Sequence, residues 1–266
     1  MRFEVLGPMR VLRDGQPVRI GGPREHKILA MLLVNDGMPV PEERLAAVVW
    51  ADDPPATVHA QLHNGVATLR SALRAGGAAA IVRSGSGFTI ERRGAALDIE
   101  DFDRLVADAR RADGPARAAD LYRSALALWR GPAMDGLTGG RYLKAQARRL
   151  EERRLACIED RIDANLAAGR HTDVIADLAM LTDEHPSRER LLAMRMLALY
   201  RCGRRSDALV VFVAARRRLA EETGLDFGDD VTDVHRAILR ADPSLAGPAT
   251  GVDAPPVANA AAAVPA

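Results

Sequence analysis

The sequence runs to 266 residues, room for one large domain or two ordinary ones, and its 48% hydrophobic content supports a sizeable core. Charged residues make up 27%, and no uninterrupted apolar run reaches bilayer-spanning length, which argues against a membrane-embedded chain. The net charge of +1 neither points to nor excludes a nucleic-acid partner, so local charge has to decide.

The N-terminal stretch MRFEVLGPMRVL has no charged region followed by an apolar core and a small-residue cleavage site. No secretory leader is expected, and the expected location is cytoplasmic. Cys157 and Cys202 are the only cysteines and are expected to be reduced.

Residues 1–20 read as strands, with Phe3, Val5 and Val11 apolar among polar neighbours. Asp14-Gly15 is a hairpin turn, because both residues tolerate positive φ. A helix follows from about Arg24 to Asn35, with Ile28, Leu29, Leu32 and Leu33 on one stripe and Gly37 ending it. A short second helix is expected from about Pro41 to Trp50, with Pro41 at its first position. The third helix spans about Ala56 to Arg74. Val58, Leu62, Val66, Leu69 and Leu73 lie close to one line along it and form the buried stripe. Its opposite face holds Thr57, Ala60, Gln61, Asn64, Ala67, Thr68, Ser71 and Arg74. Next, Ile81-Val82-Arg83 and Phe88-Thr89-Ile90 flank Ser84-Gly85-Ser86-Gly87 in a compact hairpin. Three helices and a hairpin in this order are the pattern of a winged helix.

From Pro54 to Ile90 there is no Asp or Glu, in a chain with 36 of them. A surface facing phosphate must exclude carboxylates. The third helix is therefore read as a major-groove helix: its outer face is slim, and it offers amides that pair with base edges. An ordinary solvated face is the competing reading, although such faces are usually rich in Glu and Lys.

Strands vanish from about Ile99 onward. Asp101-Phe102-Asp103-Arg104-Leu105 opens a helical region, and a long helix carries Tyr142, Leu143, Leu150, Leu155, Ile158, Ile162 and Leu166. Ala168-Gly169-Arg170 recurs as Cys202-Gly203-Arg204, Asp173 as Asp207, Val174 as Ala208 and Leu178 as Phe212, each time at an offset of 34 residues. That is the tetratricopeptide period, in which helix pairs stack to bury their faces and present a protein-binding surface. A plain bundle with a coincidental period is the alternative. Ala118 and Tyr122 hint at an earlier copy. The segment from Gly247 to Ala266 is Ala, Pro and Val with one charge, and is expected to be disordered.

Catalytic chemistry has no constellation here. His59 and His63 have the spacing of paired zinc ligands but no supporting Cys, Glu or third His. Phosphate-binding and nucleophile-elbow glycine motifs are missing, so neither an enzyme nor a cofactor is expected.

The stretches IGGPREHKILAMLL, ERLAAVVWADDPPAT, LHNGVATLRSAL and IVRSGSGFTI resemble the OmpR-type winged helix that opens the Streptomyces antibiotic regulatory proteins. LDIEDFDRLVADAR, ALALWRGPA and EHPSRERLLAMRMLALYRCGRRSDAL resemble that family's bacterial transcriptional activator domain. The resemblance covers about Met1 to Leu245. It implies a mainly α chain: a winged helix-turn-helix head over 1–95, an all-α tetratricopeptide-like domain over 99–245 and a tail over 246–266. It further implies activation of a secondary-metabolite gene cluster, dimeric binding to double-stranded direct repeats near a promoter, and contact with RNA polymerase including its sigma subunit. By position, the recognition helix is about Pro55 to Arg74 and the wing about Ile81 to Ile90. On this reading Gln61 and Asn64 read base edges, and Thr57, Thr68, Arg70 and Arg74 hold phosphates. Arg83 and Ser84 anchor the wing, with Arg24 and Lys27 as further phosphate candidates. Three positions depart from the family pattern: Gly65 stands for a larger residue, Thr68 for a common arginine and Pro41 for a Ser or Thr cap. Residues alone leave open a repressor with the same head, or an adaptor that uses the repeats and binds no DNA.

Overall fold

The computed structural model describes residues 1–247 apart from 36, 52, 75, 76, 78 and 138. All but the first two residues of the expected tail lie outside them. The chain divides into two compact units, Met1–Arg161 and a second beginning at Ile162.

The first unit opens with strands β1 (Arg2–Glu4), β2 (Arg10–Arg13) and β3 (Gln16–Pro17), paired antiparallel. The β2–β3 turn places Asp14 at φ 50° and Gly15 at φ 78°, the mirror-image turn whose twist matches the strands, as expected. Three helices follow: α1 (Pro23–Val34), then, after the short strand β4 (Val40–Pro41), α2 (Glu42–Trp50) and α3 (Val58–Arg74). Strands β5 (Ala80–Ser84) and β6 (Gly87–Glu91) form the expected hairpin. Strand β7 (Ala96–Leu97) returns to pair in parallel with β1, so the first sheet runs β3-β2-β1-β7 and the second β4-β6-β5.

The core of the three-helix layer is the stripe read from periodicity. Ile28, Leu29, Leu32 and Leu33 of α1, Leu45 and Val48 of α2 and Leu62, Val66, Leu69 and Leu73 of α3 are all buried, whereas Val58, expected in the stripe, sits at the helix start and is only half-buried. Two helix starts differ from expectation. Pro41 is not the first helical residue but the end of β4, opposite Gly87, and the Glu42 N–H donates to the Ser86 carbonyl at 3.2 Å. A strand partner outcompetes the helix there, and a proline without an N–H suits the edge of a short ladder. The third helix starts at Val58 rather than Ala56, because a turn closed by Val58 N–H to the Pro55 carbonyl (2.9 Å) precedes it. Glycine is required at 87: a Cβ there would collide with the Val40 carbonyl, so β4 could not pair.

The junction with the helical region is built on a carboxylate. Helix α4 (Asp98–Arg110) begins directly after β7, and Asp98 is buried. Its oxygens accept from the N–H of Val5 (2.8 Å) and Leu6 (2.9 Å). The carbonyls of the same two residues accept from Met134 N–H (2.8 Å) and Arg130 N–H (2.9 Å). Arg130 also lies 3.5 Å from both Asp98 and Glu4. Helix α5 (Pro115–Leu126) folds back on α4 through Gly114 at φ 99°, and Tyr122 is buried as the hinted early copy requires, although Ala119 rather than Ala118 is its buried alanine. Helix α6 (Arg141–Ala167) is the expected long helix, about 40 Å at 1.5 Å per residue.

In the second unit the 34-residue period is visible in hydrogen bonds. After α6, Ala168, Gly169 and Arg170 donate to Ala164, Leu166 and Asn165. After α8 (Glu189–Arg201), Cys202, Gly203 and Arg204 donate to Ala198, Tyr200 and Leu199, the same residues advanced by one period. Gly169 and Gly203 sit at φ 81° and 75°, the left-handed helix end that glycine occupies without strain. The segments that follow differ in length. The first copy is a 3-10 turn, Thr172–Val174, leading into α7 (Ile175–Glu184); the second is one helix, α9 (Arg205–Thr223). The equivalent pairs Val174/Ala208 and Leu178/Phe212 are all buried. Helix α10 (Asp229–Arg240) closes the layer, packing Val231 and Ile238 with Phe212, Phe227, Met196 and Leu199. Cys157 is buried and free, with its thiol pushed up to about 12 by burial; Cys202 is free and half-buried.

Replacing Asp98 by alanine leaves two buried donors unpaired, at about 1–3 kcal/mol each. We expect Asp98→Ala to lose about 3 kcal/mol or more in denaturant unfolding, and Asp98→Asn, which keeps one acceptor oxygen, to lose less.

Candidate nucleic-acid interface

Helix α3 is held from two sides. On one side it meets α1 at Gly65, where a Cβ would stand 3.0 Å from Ile28 Cδ1. The glycine that weakens this helix by propensity thus allows its close approach to α1. On the same side Arg24 donates to Gln61 Oε1 (2.7 Å) and lies over the Trp50 ring, while Gln61 donates to Thr57 Oγ1 (2.9 Å). On the other side Arg70 Nε donates to the Ile81 carbonyl (2.8 Å), and its guanidinium lies over the Phe88 ring. Between the two flanks the outward edge carries Ala60, Asn64, Ala67 and Ser71, all exposed and none larger than an asparagine. Thr68, beside that edge, turns its hydroxyl back onto the Asn64 carbonyl (3.0 Å). Arg74 is exposed at the C-terminal end.

The sequence-acid-free span is not acid-free in space. Buried Glu42, the first residue of α2, reaches His63 Nε2 (3.1 Å), His59 Nδ1 (3.4 Å) and Arg83 of β5 (3.3 Å). Burial alone would push the Glu42 carboxyl up, but the two imidazoles and Arg83 outweigh it and hold it below the usual glutamate range. The wing is therefore joined to α3 twice, through Glu42 and through Arg70. Lys27 donates to the Val49 carbonyl (3.3 Å), so it ties α1 to α2. Ser84 closes the hairpin opposite Gly87.

A family model, the bacterial transcriptional activator domain, matches residues 97–239. The regulatory protein DnrI of Streptomyces peucetius is 31% identical over 256 residues, which span 92% of this chain and 94% of DnrI. The chain belongs to the Streptomyces antibiotic regulatory protein family. Another member-like relative, the regulatory protein AfsR of Streptomyces coelicolor, is 37% identical over 250 residues, 92% of this chain. The chain spans about a quarter of the length of AfsR. A solved structure of Mycobacterium tuberculosis EmbR, in complex with a low-affinity phosphopeptide, superposes with a TM-score of 0.82 at 30% identity, covering 91% of this chain and 65% of EmbR. The winged helix followed by an all-α helical region is thus the fold of this Streptomyces antibiotic regulatory protein family member. Among the described residues no helix is long and apolar enough to cross a membrane.

In this family member the ten residues singled out from sequence fall into three groups. Asn64 and Arg74 are exposed, with Thr57 and Thr68 beside them. Arg24 and Gln61 are bonded to each other. Lys27, Arg70, Arg83 and Ser84 are engaged in holding α1, α3 and the hairpin together. Sequence reasoning missed Glu42. Its only local signal was an acidic residue at a helix start, which the helix dipole explains without further function.

Two outcomes follow. Arg70→Ala should lower unfolding stability by about 1–2 kcal/mol, since it removes a half-buried hydrogen bond and a cation–ring contact, whereas Arg74→Ala should stay within about 0.5 kcal/mol of the parent. Glu42→Gln should be less stable than the parent at neutral pH. The lowered carboxyl contributes stability above the ordinary glutamate pKa of about 4.3 and loses it as pH falls through its own lower value. The gap between the two proteins should therefore close in acid, as read by urea unfolding across pH.

Proposed function

We propose that this chain is a sequence-specific DNA-binding transcriptional activator that places α3 in the major groove and sets the β5–β6 hairpin on the flanking backbone. The outward edge of α3 carries this reading. Ala60, Ala67 and Ser71 are small enough to let the helix axis approach base edges, and Asn64 between them offers a donor and an acceptor together. Asn64 and, once released from Arg24, Gln61 are the base-reading side chains. Thr57 and Arg74 take phosphates directly, and Thr68 does so once its hydroxyl leaves the Asn64 carbonyl. Arg24, Lys27, Arg70, Arg83 and Ser84 set the geometry of the flanks and meet the backbone with whatever donors their internal bonds leave over.

In functional terms residues 1–95 are the DNA-reading head and 99–245 the activator domain. The helical domain supplies dimer contacts on promoter direct repeats and contacts to RNA polymerase, including its sigma subunit. The targets are genes of a secondary-metabolite cluster. Family membership and the stacked repeat units, which bury one face and leave another for protein partners, support this part of the reading.

The test is a pull-down of fragmented host genomic DNA with the full-length chain, sequenced beside the same experiment on Asn64→Ala. Enrichment of a few promoters with spaced direct repeats, blurred by Asn64→Ala, is expected. Arg74→Ala should retain the preference, weaken binding to all sequences and reduce the salt dependence by about one unit. An unchanged preference in Asn64→Ala would sink the facing of α3. No enrichment at all would move the function to the helical repeats as an adaptor.

A further inference from the structure

Three side chains able to carry positive charge converge on one buried carboxylate at the seam between α3 and the hairpin. His63 Nε2 and His59 Nδ1 approach the same oxygen, Glu42 Oε2, at 3.1 and 3.4 Å, and Arg83 lies 3.3 Å from Oε1. The carboxylate is buried, whereas the rings are 65% (His59) and 47% (His63) exposed.

Hydrogen-bond chemistry then dictates which nitrogen of each ring carries the hydrogen. An ionised carboxylate only accepts, so the nitrogen facing Glu42 must be N–H: Nδ1 in His59, Nε2 in His63. In a neutral imidazole the other nitrogen, Nε2 of His59 or Nδ1 of His63, is then a bare acceptor. A phosphodiester oxygen is also only an acceptor. The two cannot bond until the ring takes up a proton.

Charge bookkeeping points the same way. Glu42 and Arg83 cancel, so the cluster is neutral with neutral rings and gains one positive charge per proton. Arg70 on α3 lies over the Phe88 ring, which also meets His63 in a T-shaped contact. From the hairpin, β5 brings Arg83 and β6 brings the uncharged Phe88; from α2 comes Glu42.

We propose that His59 and His63, set by Glu42 beside Arg83, form a proton-linked seat for a backbone phosphate of bound DNA. Affinity for DNA accordingly rises as the rings take up protons, that is, towards lower pH. Glu42 is a positioning residue in this arrangement: it touches no DNA and selects the tautomer that makes the contact depend on a proton. The inference rests on the DNA-binding reading above.

The experiment is fluorescence anisotropy of the full-length chain on a mixed-sequence duplex of about 30 base pairs at constant ionic strength, from about pH 6 to about pH 8. One proton taken up on binding gives at most about tenfold in affinity per pH unit, and we expect tightening of about three- to tenfold between the two ends of this series. His59→Gln/His63→Gln keeps an amide N–H for Glu42 but cannot titrate, and should flatten the profile. Glu42→Gln frees the tautomers, so the outward nitrogen can donate without an extra proton; binding should be tighter than the parent at the alkaline end and its pH dependence shallower. Scattered His26, His171, His185 and His235 remain in every variant and cancel in the comparison. Parallel profiles for the parent and His59→Gln/His63→Gln, with binding intact, would overturn the seat and leave DNA binding standing. A parent that binds no duplex at any pH would overturn the DNA-binding reading, and the seat with it.

Discussion

The backbone of Val5 and Leu6 leaves strand β1 with four polar groups and no strand partner for any of them, and all four are satisfied by residues about a hundred positions away. The two N–H groups end on the Asp98 carboxylate, and the two carbonyls on Met134 and Arg130. Unpaired donors in buried residues such as Val5 and Leu6 would each cost about 1–3 kcal/mol, a sizeable share of a domain's net stability. The sheet that begins the chain therefore holds its shape only when α4 and the Arg130–Met134 turn are in place. These bonds tie the chain's start to residues as far on as Met134, all within the first compact unit. A truncation after residue 95 would remove the acceptor for two N–H groups and the donors for two carbonyls in one cut.

The same logic of satisfied flanks governs α3. A helix whose exposed edge is alanine, serine and asparagine has little side chain left on that edge with which to hold itself. Gly65 brings it against Ile28 on one side, and Arg70 and the Glu42 cluster lock it to the hairpin on the other. The outer edge is consequently free to be alanine, serine and asparagine. Arg24, Arg70 and Arg83, read from sequence as phosphate candidates, also hold the frame, because guanidinium groups satisfy side-chain oxygens, carbonyls and aromatic faces as readily as they do phosphates.

How much of this could be read in advance follows from the range of each interaction. Helices α1 to α3, the hairpin and the apolar stripe were legible because they depend on residues three to four or two positions apart. The 34-residue period was legible because the glycine turn it repeats is a local device, and its hydrogen bonds recur with the same spacing. Pro41 was misplaced because its alternative, pairing with Gly87, is set by a strand 46 residues on. Strands β4 and β7 are two residues each, too short to show an alternation. Glu42 and Asp98 were invisible as site and keystone for one reason. Nothing near Glu42 in sequence signals two histidines 17 and 21 positions later, and nothing near Asp98 signals Val5, 93 positions earlier.

The two buried carboxylates also show why burial alone does not set ionisation. Asp98 and Glu42 are both nearly closed off from water, yet their acidities move in opposite directions. Burial raises Asp98, and the N–H groups of Leu6 and Val5, with Arg130 beyond them, recover only part of that. Its contribution to stability is thus greatest with the carboxyl protonated and falls as pH rises through its raised value. Glu42 has cationic and imidazole partners in direct reach, which outweigh its burial, so its contribution is present at neutral pH and is lost only in acid. Each carboxylate has a guanidinium nearby, Arg130 at 3.5 Å and Arg83 at 3.3 Å; Asp98 is the more deeply enclosed and stands near Glu4, so burial wins there, whereas the two imidazoles tip Glu42 the other way. Acid therefore loosens the seam between α3 and the hairpin while the junction at Asp98 is, if anything, relieved. Both carboxylates therefore tie stability to pH, with opposite signs: the Glu42 seam weakens in acid, and the Asp98 junction weakens as pH rises.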